Sequence, residues 1–335
     1  MRNILVTGGC GFIGSHFIRY FISKYNYRIF NVDCLTYAGN LKNVESVSTR
    51  ANYKFFQTNI CSDKIAEVMK DCKIDTVVSF AAQSHVDRSI RYPKEFIDTD
   101  VYGSFNLAHA GLKIKLEKYL HISTDEVFGP IDPDFEANEM TPLAPTSPYA
   151  ASKASGELLL MSYYKTYDLP LIVVRPCNTY GSHQYPEKLI PLTVTRLLSG
   201  NTALVHGEGT EQREWIYVDD LCRALDCALH KGKIGNIYNI GSGFRLPNIE
   251  VTKKILDIMD LPYTRIEYMT NRPGNDTAYR INSNKMKKLY GDSYVTTGFY
   301  LGLRKAVEWY SRNQDWYSNV NIDANIYKSN EGYLR

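Results

Sequence analysis

Two adjacent acids, Asp125 and Glu126, follow Ser123 and Thr124 at the end of an apolar approach through Tyr119, Leu120 and Ile122. Further on, SPYAASK places Tyr149 four residues before Lys153. A helix start fits there: Ser147 can cap it, and Pro148 suits the first helical position, where its missing N–H costs nothing. Positions four apart share a helix face, so the phenol and the ammonium point at the same place. A tyrosine with an ordinary pKa near ~10 is a poor base at neutral pH, and a neighbouring ammonium favours its phenolate. Two carboxyl groups beside such a phenol form an acid–base site, provided their environments hold them in different protonation states. A structural alternative makes Asp125-Glu126 an acid pair stabilised by a helix start. The Tyr149–Lys153 pair weighs against it.

The elements that must position these groups precede them. Residues 2–7 (RNILVT) form a short apolar strand, and GGCGFIGSHFIRYFI follows. Gly9, Gly11 and Gly14 match G-x-G-x-x-G, and Gly8, Gly11 and Gly14 match G-x-x-G-x-x-G. Such glycines let the backbone approach a pyrophosphate, whose charge sits at the N-terminus of the next helix. A strand before, an amphipathic helix after, and a second strand Tyr27–Val32 ending in Asp33 make this a dinucleotide site. Asp33 accepts hydrogen bonds from a ribose and repels a 2′-phosphate, which favours NAD over NADP. DCLTYAGN (Asp33–Asn40) reads as a polar loop around the adenosine.

A strand ending at Asn59-Ile60, a helix near Ser62–Lys70 and the buried strand Thr76–Phe80 come next. Small Ala81 and Ala82 let a backbone pass close to a cofactor, and His85 reads as lying on an exposed loop, either as a contact to a sugar phosphate or as a solvated surface histidine. A helix Pro93–Leu112, carrying Thr99 and Gly103, leads into the HISTDE strand. Alternating strands and helices predict an α/β fold, a Rossmann-like doubly wound parallel sheet. Ligands of such sheets lie outside the carboxyl ends of the strands, where the glycine loop, AAQSH and STDE meet. We expect the dinucleotide domain over 1–175, with segments near 215–241 returning to it, and a smaller substrate-binding C-terminal lobe over 176–335. In that half we read a strand Leu169–Arg175, helices Leu189–Leu198, Asp219–His230, Asn248–Met259 and Leu301–Arg312, and a strand Asn236–Gly241. Gly207–Asp220 reads as a loop, NRPGND (Asn271–Asp276) as a turn, and Asn313–Arg335 as a polar tail.

Composition narrows the class. At 335 residues, with 44% hydrophobic and 22% charged side chains, this is an ordinary globular protein of two intimately joined lobes. A net charge of +3 without a basic stripe excludes nucleic acid as the expected partner, and Lys253-Lys254 reads as a solvated helix face. No apolar run reaches membrane-spanning length, and from Met1-Arg2-Asn3 leading directly into a strand pattern we expect no signal peptide. The seven cysteines are scattered without CxxC spacing. We expect reduced thiols, a cytoplasmic setting and no metal site.

Taken in order, TGGCGFIGSH, DCLTYAGN, AAQSHVDRS, STDEVFG, SPYAASKAS, YPEKLIP, REWIYVDD, YNIGSG and NRPGND resemble the extended short-chain dehydrogenase/reductase family. Within it the likeness is to the nucleoside-diphosphate-glucose 4,6-dehydratases and covers residues 2–318. The Tyr-x-x-x-Lys pair marks the superfamily, whereas Asp125-Glu126 after Thr124 is more specific, because related C4-epimerases lack that acid pair. The resemblance implies that Tyr149 is the base at the sugar C4 hydroxyl, that Lys153 lowers its pKa and binds the nicotinamide ribose, and that Thr124 hydrogen-bonds O4. Asp125 becomes the acid for the C6 hydroxyl and Glu126 the base at C5. Hydride transfer from C4 to NAD gives a 4-ketone, which acidifies C5; water leaves across C5 and C6, and the hydride returns to C6.

Implied cofactor contacts, besides the glycines, are Phe12, Ile13, Asp33, Leu35, Thr36, Asn59, Ile60, Ala81, Ala82, Ser84, Thr99, Tyr149 and Lys153. Implied substrate contacts are His85, Thr124, Asn178, Lys188, Leu189, His206, Arg213, Asn248 and Arg272. Arg213 and Arg272 would clamp a diphosphate as planar bidentate donors. A homodimer through a four-helix bundle of Pro93–Leu112 and Pro148–Tyr167 is also implied.

Several positions leave the dTDP-glucose pattern. Asn178-Thr179 replaces Asn-Asn, Phe128 a Tyr, Asn59 an Asp and Asp100 an Asn, and Leu204-Val205-His206 replaces Pro-Ile-Tyr. The RPxNTYG form recurs among relatives that handle acetamido sugars. UDP-N-acetylglucosamine therefore stands beside a dTDP- or UDP-linked glucose as substrate, with retention or inversion at C5 open. A 4-epimerase and a non-catalytic NAD-binding protein are the remaining alternatives; the first predicts no acid pair, the second the loss of Tyr149, Lys153 or an acid.

Overall fold

The computed structural model describes residues 2–132, 134–271 and 273–318. Seven parallel strands form the main sheet: β1 (Asn3–Thr7), β2 (Arg28–Asp33), β3 (Tyr53–Gln57), β4 (Thr76–Ser79), β5 (Lys118–Ile122), β6 (Leu171–Pro176) and, much later, β10 (Ile237–Ile240), in the order β10-β6-β5-β4-β1-β2-β3. The order reverses between β1 and β4, whose Thr7 and Ser79 pair side by side. A crevice opens beyond that point, the binding place of doubly wound sheets.

Both faces are covered, so alternate residues of one strand enter different cores. Ile4, Val78, Leu120 and Val174 pack with α1 (Phe12–Lys24) and α8 (Val218–Lys231). Leu5, Val77, Tyr119 and Val173 pack with α2 (Lys64–Asp71), α5 (Gly103–Ile114) and α6 (Pro148–Tyr167). Helices α3 (Val86–Arg91) and α4 (Pro93–Phe96) lie between β4 and α5.

A third core gathers Tyr180, Val194, Trp215, Ile255, Leu303 and Tyr310. It is built from β7 (Asn178–Tyr180), α7 (Leu189–Leu198), β8 (Ala203–His206), β9 (Gln212–Tyr217), β11 (Arg245–Pro247), α9 (Asn248–Ile258), β12 (Ile266–Met269) and α11 (Phe299–Arg312). Here β11, β9 and β7 form one small sheet and β12 and β8 another. Helix α10 (Asn284–Tyr290) packs on α8, and α12 (Gln314–Tyr317) follows α11.

Four expectations need correction. The stretch Gly207–Asp220 is no loop: its second half is β9, where Arg213 and Glu214 are buried. The helix expected over Pro93–Leu112 is interrupted by a π turn, Ile97–Tyr102, which carries Thr99 and Asp100. The strand expected to end at Asn59-Ile60 stops at Gln57. His85 is not on an exposed loop: it is buried and caps α3, its Nδ1 accepting from the Arg88 N–H at 3.3 Å.

The helix that presents Tyr149 and Lys153 begins as the sequence predicts. The Ser147 hydroxyl accepts from the Ala150 N–H at 3.1 Å and Pro148 opens the first turn. Ser147→Ala is expected to lower unfolding stability by about 1 kcal/mol, read as a lower urea midpoint with unchanged slope. An unmoved midpoint would assign that cap no energetic role.

Candidate active site

The crevice is a cavity of about 790 Å³. Gly8, Gly11, Phe12, Ile13 and Gly14 form its floor, with Asp33, Thr36, Asn59 and Ile60 on one side and Ala81, Ala82 and Ser84 on another. Thr99, Thr124, Asp125, Glu126, Tyr149, Lys153, Asn178 and Lys188 also belong to the wall. The chain thus brings two sequence-distant motifs, the glycine loop and the Thr-Asp-Glu/Tyr-Lys constellation, into one space.

The floor has the chemistry of an anion cradle. Helix α1 starts at Gly11 without a side-chain cap and without an acid in its first turn, so its leading N–H groups remain available to a ligand. Gly8 has φ +69°, the left-handed region, and a Cβ there would lie 2.6 Å from Ala81 N. At Gly14 a Cβ would lie 2.4 Å from the Gly8 carbonyl oxygen. Both contacts keep the loop tight against β4 and α1. At the tip of β2, the Asp33 carboxylate accepts from Leu35 N at 2.8 Å and from Cys10 N at 2.9 Å, which fixes it at the cavity edge. These groups fit a dinucleotide diphosphate and an adenosine ribose.

At the reacting end, β5 delivers the chain into Thr124, which caps a short 3-10 turn, Asp125–Phe128. Its hydroxyl meets the Glu126 N–H and donates to Asp125 Oδ1, both at 3.3 Å. Burial, then the charges of Glu126 and Glu214, hold the Asp125 carboxyl well above the usual carboxylate range, against a smaller pull from Arg213 and Thr124. Asp125 is thereby biased toward its protonated, proton-donating form, whereas Glu126 is partly exposed. The two neighbours occupy different environments, as a donor–acceptor pair requires.

Tyr149 is buried, and burial together with Glu126, Asp100 and Asp125 pushes its phenol well above its ordinary value. A hydrogen bond from the Thr124 side acts the other way. The Lys153 ammonium donates to the Ile122 carbonyl at 2.7 Å. Burial lowers its pKa, opposed by Asp100 and Glu157.

Other expected contacts lie elsewhere. Among the described residues, the cavity wall does not include Leu35, His85, Leu189, His206, Arg213 or Asn248. Leu35 turns away after giving its N–H to Asp33. Leu189 starts α7 and packs toward the third core. His206 ends β8, with Nδ1 3.3 Å from the Thr270 carbonyl, and Asn248 starts α9. Arg213 sits one layer back, its guanidinium 4.5 Å over the Tyr279 ring and Nη2 donating to Asn275 at 3.2 Å. Arg272 lies outside the described residues.

Sequence reading missed a set of contacts that ties two lining residues of the cavity, Tyr37 and Glu187, to Arg88. Tyr37 donates to Glu187 Oε1 at 3.0 Å, Arg88 Nε to Oε2 at 3.4 Å, and the Arg88 guanidinium lies 3.9 Å over the Tyr37 ring. Lys188 donates to the Ser84 carbonyl beside it. Tyr37 and Glu187 lie within DCLTYAGN and YPEKLIP, so the segments carried a signal but their pairing did not.

A family model described as GDP-mannose 4,6 dehydratase matches residues 5–294. The chain belongs to the nucleoside-diphosphate-sugar 4,6-dehydratases. It is 41% identical to the dTDP-glucose 4,6-dehydratase of Shigella flexneri, with 95% of each chain covered. The crystal structure of the Bacillus anthracis dTDP-glucose 4,6-dehydratase in complex with NAD superposes with TM-score 0.90 at 41% identity, covering 96% of this chain and 100% of that one. The Streptomyces venezuelae dTDP-glucose 4,6-dehydratase, also with NAD bound, gives 0.93 at 38% identity and the same coverage. Similarity of this extent spans both the glycine loop and the acid pair of this dehydratase. No described helix is long and apolar enough to cross a membrane.

Proposed function

We propose that this dehydratase converts dTDP-glucose to dTDP-4-keto-6-deoxyglucose with NAD as resident cofactor. One observation carries the reading: a buried Asp125 whose carboxyl is held above its ordinary range, a Glu126 in a different environment and Tyr149 meet around Thr124, in the cavity that the glycine loop floors. Full-length likeness to enzymes named for dTDP-glucose favours that substrate over UDP-N-acetylglucosamine. The acid pair argues against a 4-epimerase.

The floor glycines and the open end of α1 would hold the diphosphate of NAD, and Asp33 its ribose hydroxyls. NAD, when bound, supplies reversible oxidation: two electrons and a hydrogen leave C4 and return to C6. Tyr149 takes the C4 hydroxyl proton, and Lys153, one turn along the same helix, favours the phenolate that a buried phenol resists. The Thr124 hydroxyl orients O4. Once C4 is a ketone its neighbour C5–H is acidic, and Glu126 takes that proton. Asp125 gives its proton to the C6 hydroxyl, which leaves as water, and Glu126 returns a proton to C5.

The test is a panel of dTDP-glucose, UDP-glucose and UDP-N-acetylglucosamine, read by mass spectrometry for loss of one water. Turnover of dTDP-glucose alone supports the proposal; dehydration of a uridine donor with dTDP-glucose inert overturns it. Proton NMR of the product reads retention or inversion at C5.

The homodimer belongs to the same proposal. Ile97, Tyr102, Leu158 and Tyr167 are exposed on the π turn and α6, and rings from Tyr102 through Phe105 to Tyr163 and Tyr167 run in edge and stacked contacts across α5 and α6. A second copy would cover them in a four-helix bundle. Leu158→Lys is expected to yield monomers in sedimentation, where the parent gives dimers; a monomeric parent overturns this part. The free cysteines, four of them buried, fit a reducing cytoplasm.

A further inference from the structure

The π turn Ile97–Tyr102 presses on α6 at the level of the site, and Gly156 permits it: a Cβ there would lie 2.3 Å from the Asp100 carbonyl oxygen. This approach seats the Asp100 side chain, 3% exposed, against the face of α6 that carries Ser152 and Gly156, next to Lys153 in the chain. Its Oδ2 accepts the Ser152 hydroxyl at 2.6 Å, the Gln83 backbone N–H faces the same carboxylate, and among the described residues it forms no ion pair. A buried carboxylate so placed needs a cation within reach, and a buried ammonium needs an anion. Lys153, 4% exposed, faces two carboxylates, Asp100 and Glu157. Glu157 is already held by Arg175, whose Nε lies 3.2 and 3.1 Å from its two oxygens. Asp100 is the carboxylate left to balance the ammonium.

We propose that Asp100 is a positioning residue of this reaction: a buried counter-charge that holds Lys153 as an ammonium and sets the pH window in which the Tyr149–Lys153 pair works. The kinetic part rests on the dehydratase reading.

The titratable groups facing Asp100 from neighbouring elements are Lys153 and Tyr149 on α6 and Cys61 after β3. His121 on β5 faces Lys153 from the sheet; burial and that ammonium keep it neutral. On the surface of α4, Lys94 pairs with Asp98. Burial lifts the Asp100 carboxyl to about 6, with Lys153, Ser152 and Gln83 drawing it back, so the counter-charge exists at neutral pH. Its negative charge favours the protonated form of both Lys153 and Tyr149. Removing it must therefore move both titrations the same way, downward.

Asp100→Asn keeps the size and the acceptor for Ser152 and deletes the charge. Both limbs of the pH–kcat profile are expected to shift to lower pH by about one unit or more, and the 13Cε resonance of Lys153 to titrate lower by a similar amount. Ser152→Ala, which removes the hydrogen bond but no charge, is expected to leave both limbs in place. An Asp100→Asn profile that loses amplitude with its limbs unmoved makes the residue merely structural and overturns the proposal. Should the parent dehydrate no nucleotide sugar, the functional reading fails, and the lysine resonance still decides: an unchanged Lys153 titration in Asp100→Asn overturns the counter-charge. If that variant does not fold, Lys153→Met reads the same coupling from the other side, because linkage is reciprocal. The Asp100 carboxyl carbon must then titrate above its parent value, and an equal value overturns the proposal.

Discussion

Glu126→Gln is expected to lower dTDP-glucose dehydration by about 100- to 10,000-fold, the span of general acid–base catalysis. The loss has a specific form, because Glu126 and Asp125 serve different bonds. In deuterated water, Glu126→Gln should incorporate no label at C5, since the group that exchanges that proton is gone. Asp125→Asn should still exchange C5 while water loss falls by a similar factor, because only the proton for the leaving hydroxyl is missing. The pH dependence follows from the direction of the Asp125 shift. Burial and the charges of Glu126 and Glu214 raise its pKa, so the required protonated form persists as pH rises through the ordinary carboxylate range. Activity that depends on it declines only on the alkaline side, as pH passes the raised value. Exchange at C5 by Glu126→Gln at the parent rate would sink the assignment.

Glu157→Gln is expected to destabilise the fold by about 3–5 kcal/mol, the usual effect of breaking a buried ion pair. Glu157 and Arg175 are 1% and 3% exposed, joined through Nε and Nη2, and Arg175 also lies 4.7 Å over the Phe128 ring. The substitution leaves a buried guanidinium without its counter-ion. Replacing both partners, as Glu157→Gln with Arg175→Met, should recover most of the loss, since no charge then stays buried. Urea unfolding of the three proteins measures this. A single-variant loss under about 1 kcal/mol would show that water or a neighbour already compensates Arg175.

What the sequence showed and what it hid divide along a physical line. His85 misled because Gln-Ser-His-Val-Asp-Arg is polar at every position but Val86 and reads as a solvated loop. Its burial combines a local cap, His85 accepting from the Arg88 N–H, with a distant partner, Glu187, that holds Arg88. Gly207–Asp220 misled for a related reason. Arg213 and Glu214 make a strand look like a loop, yet Glu214 finds Arg245 at 3.2 Å and the Gly243 N–H at 2.7 Å, both across the small sheet. The π turn has no local signature either. Gly103, where it ends, packs against Ile60: a Cβ would lie 2.4 Å from Ile60 Cδ1, a contact between elements far apart in the chain.

By itself the sequence determined whatever depends on a few neighbouring residues. A glycine loop needs adjacent glycines, a phenol and an ammonium share a face because a helix turns every 3.6 residues, and a strand buried on both sides is apolar at nearly every position. Those periodic rules located the α/β sheet, the acid pair and Tyr149–Lys153. Only the tertiary structure decided which charge serves which. The Asp125 carboxyl is raised by burial, by Glu126 and by a Glu214 from a distant strand, Tyr37, Glu187 and Arg88 join segments far apart in the chain, and Asp100 is left near Lys153 once Arg175 has claimed Glu157. Electrostatic partners are set by distance through space and by exclusion of water, and neither quantity is written in the spacing of residues along a chain.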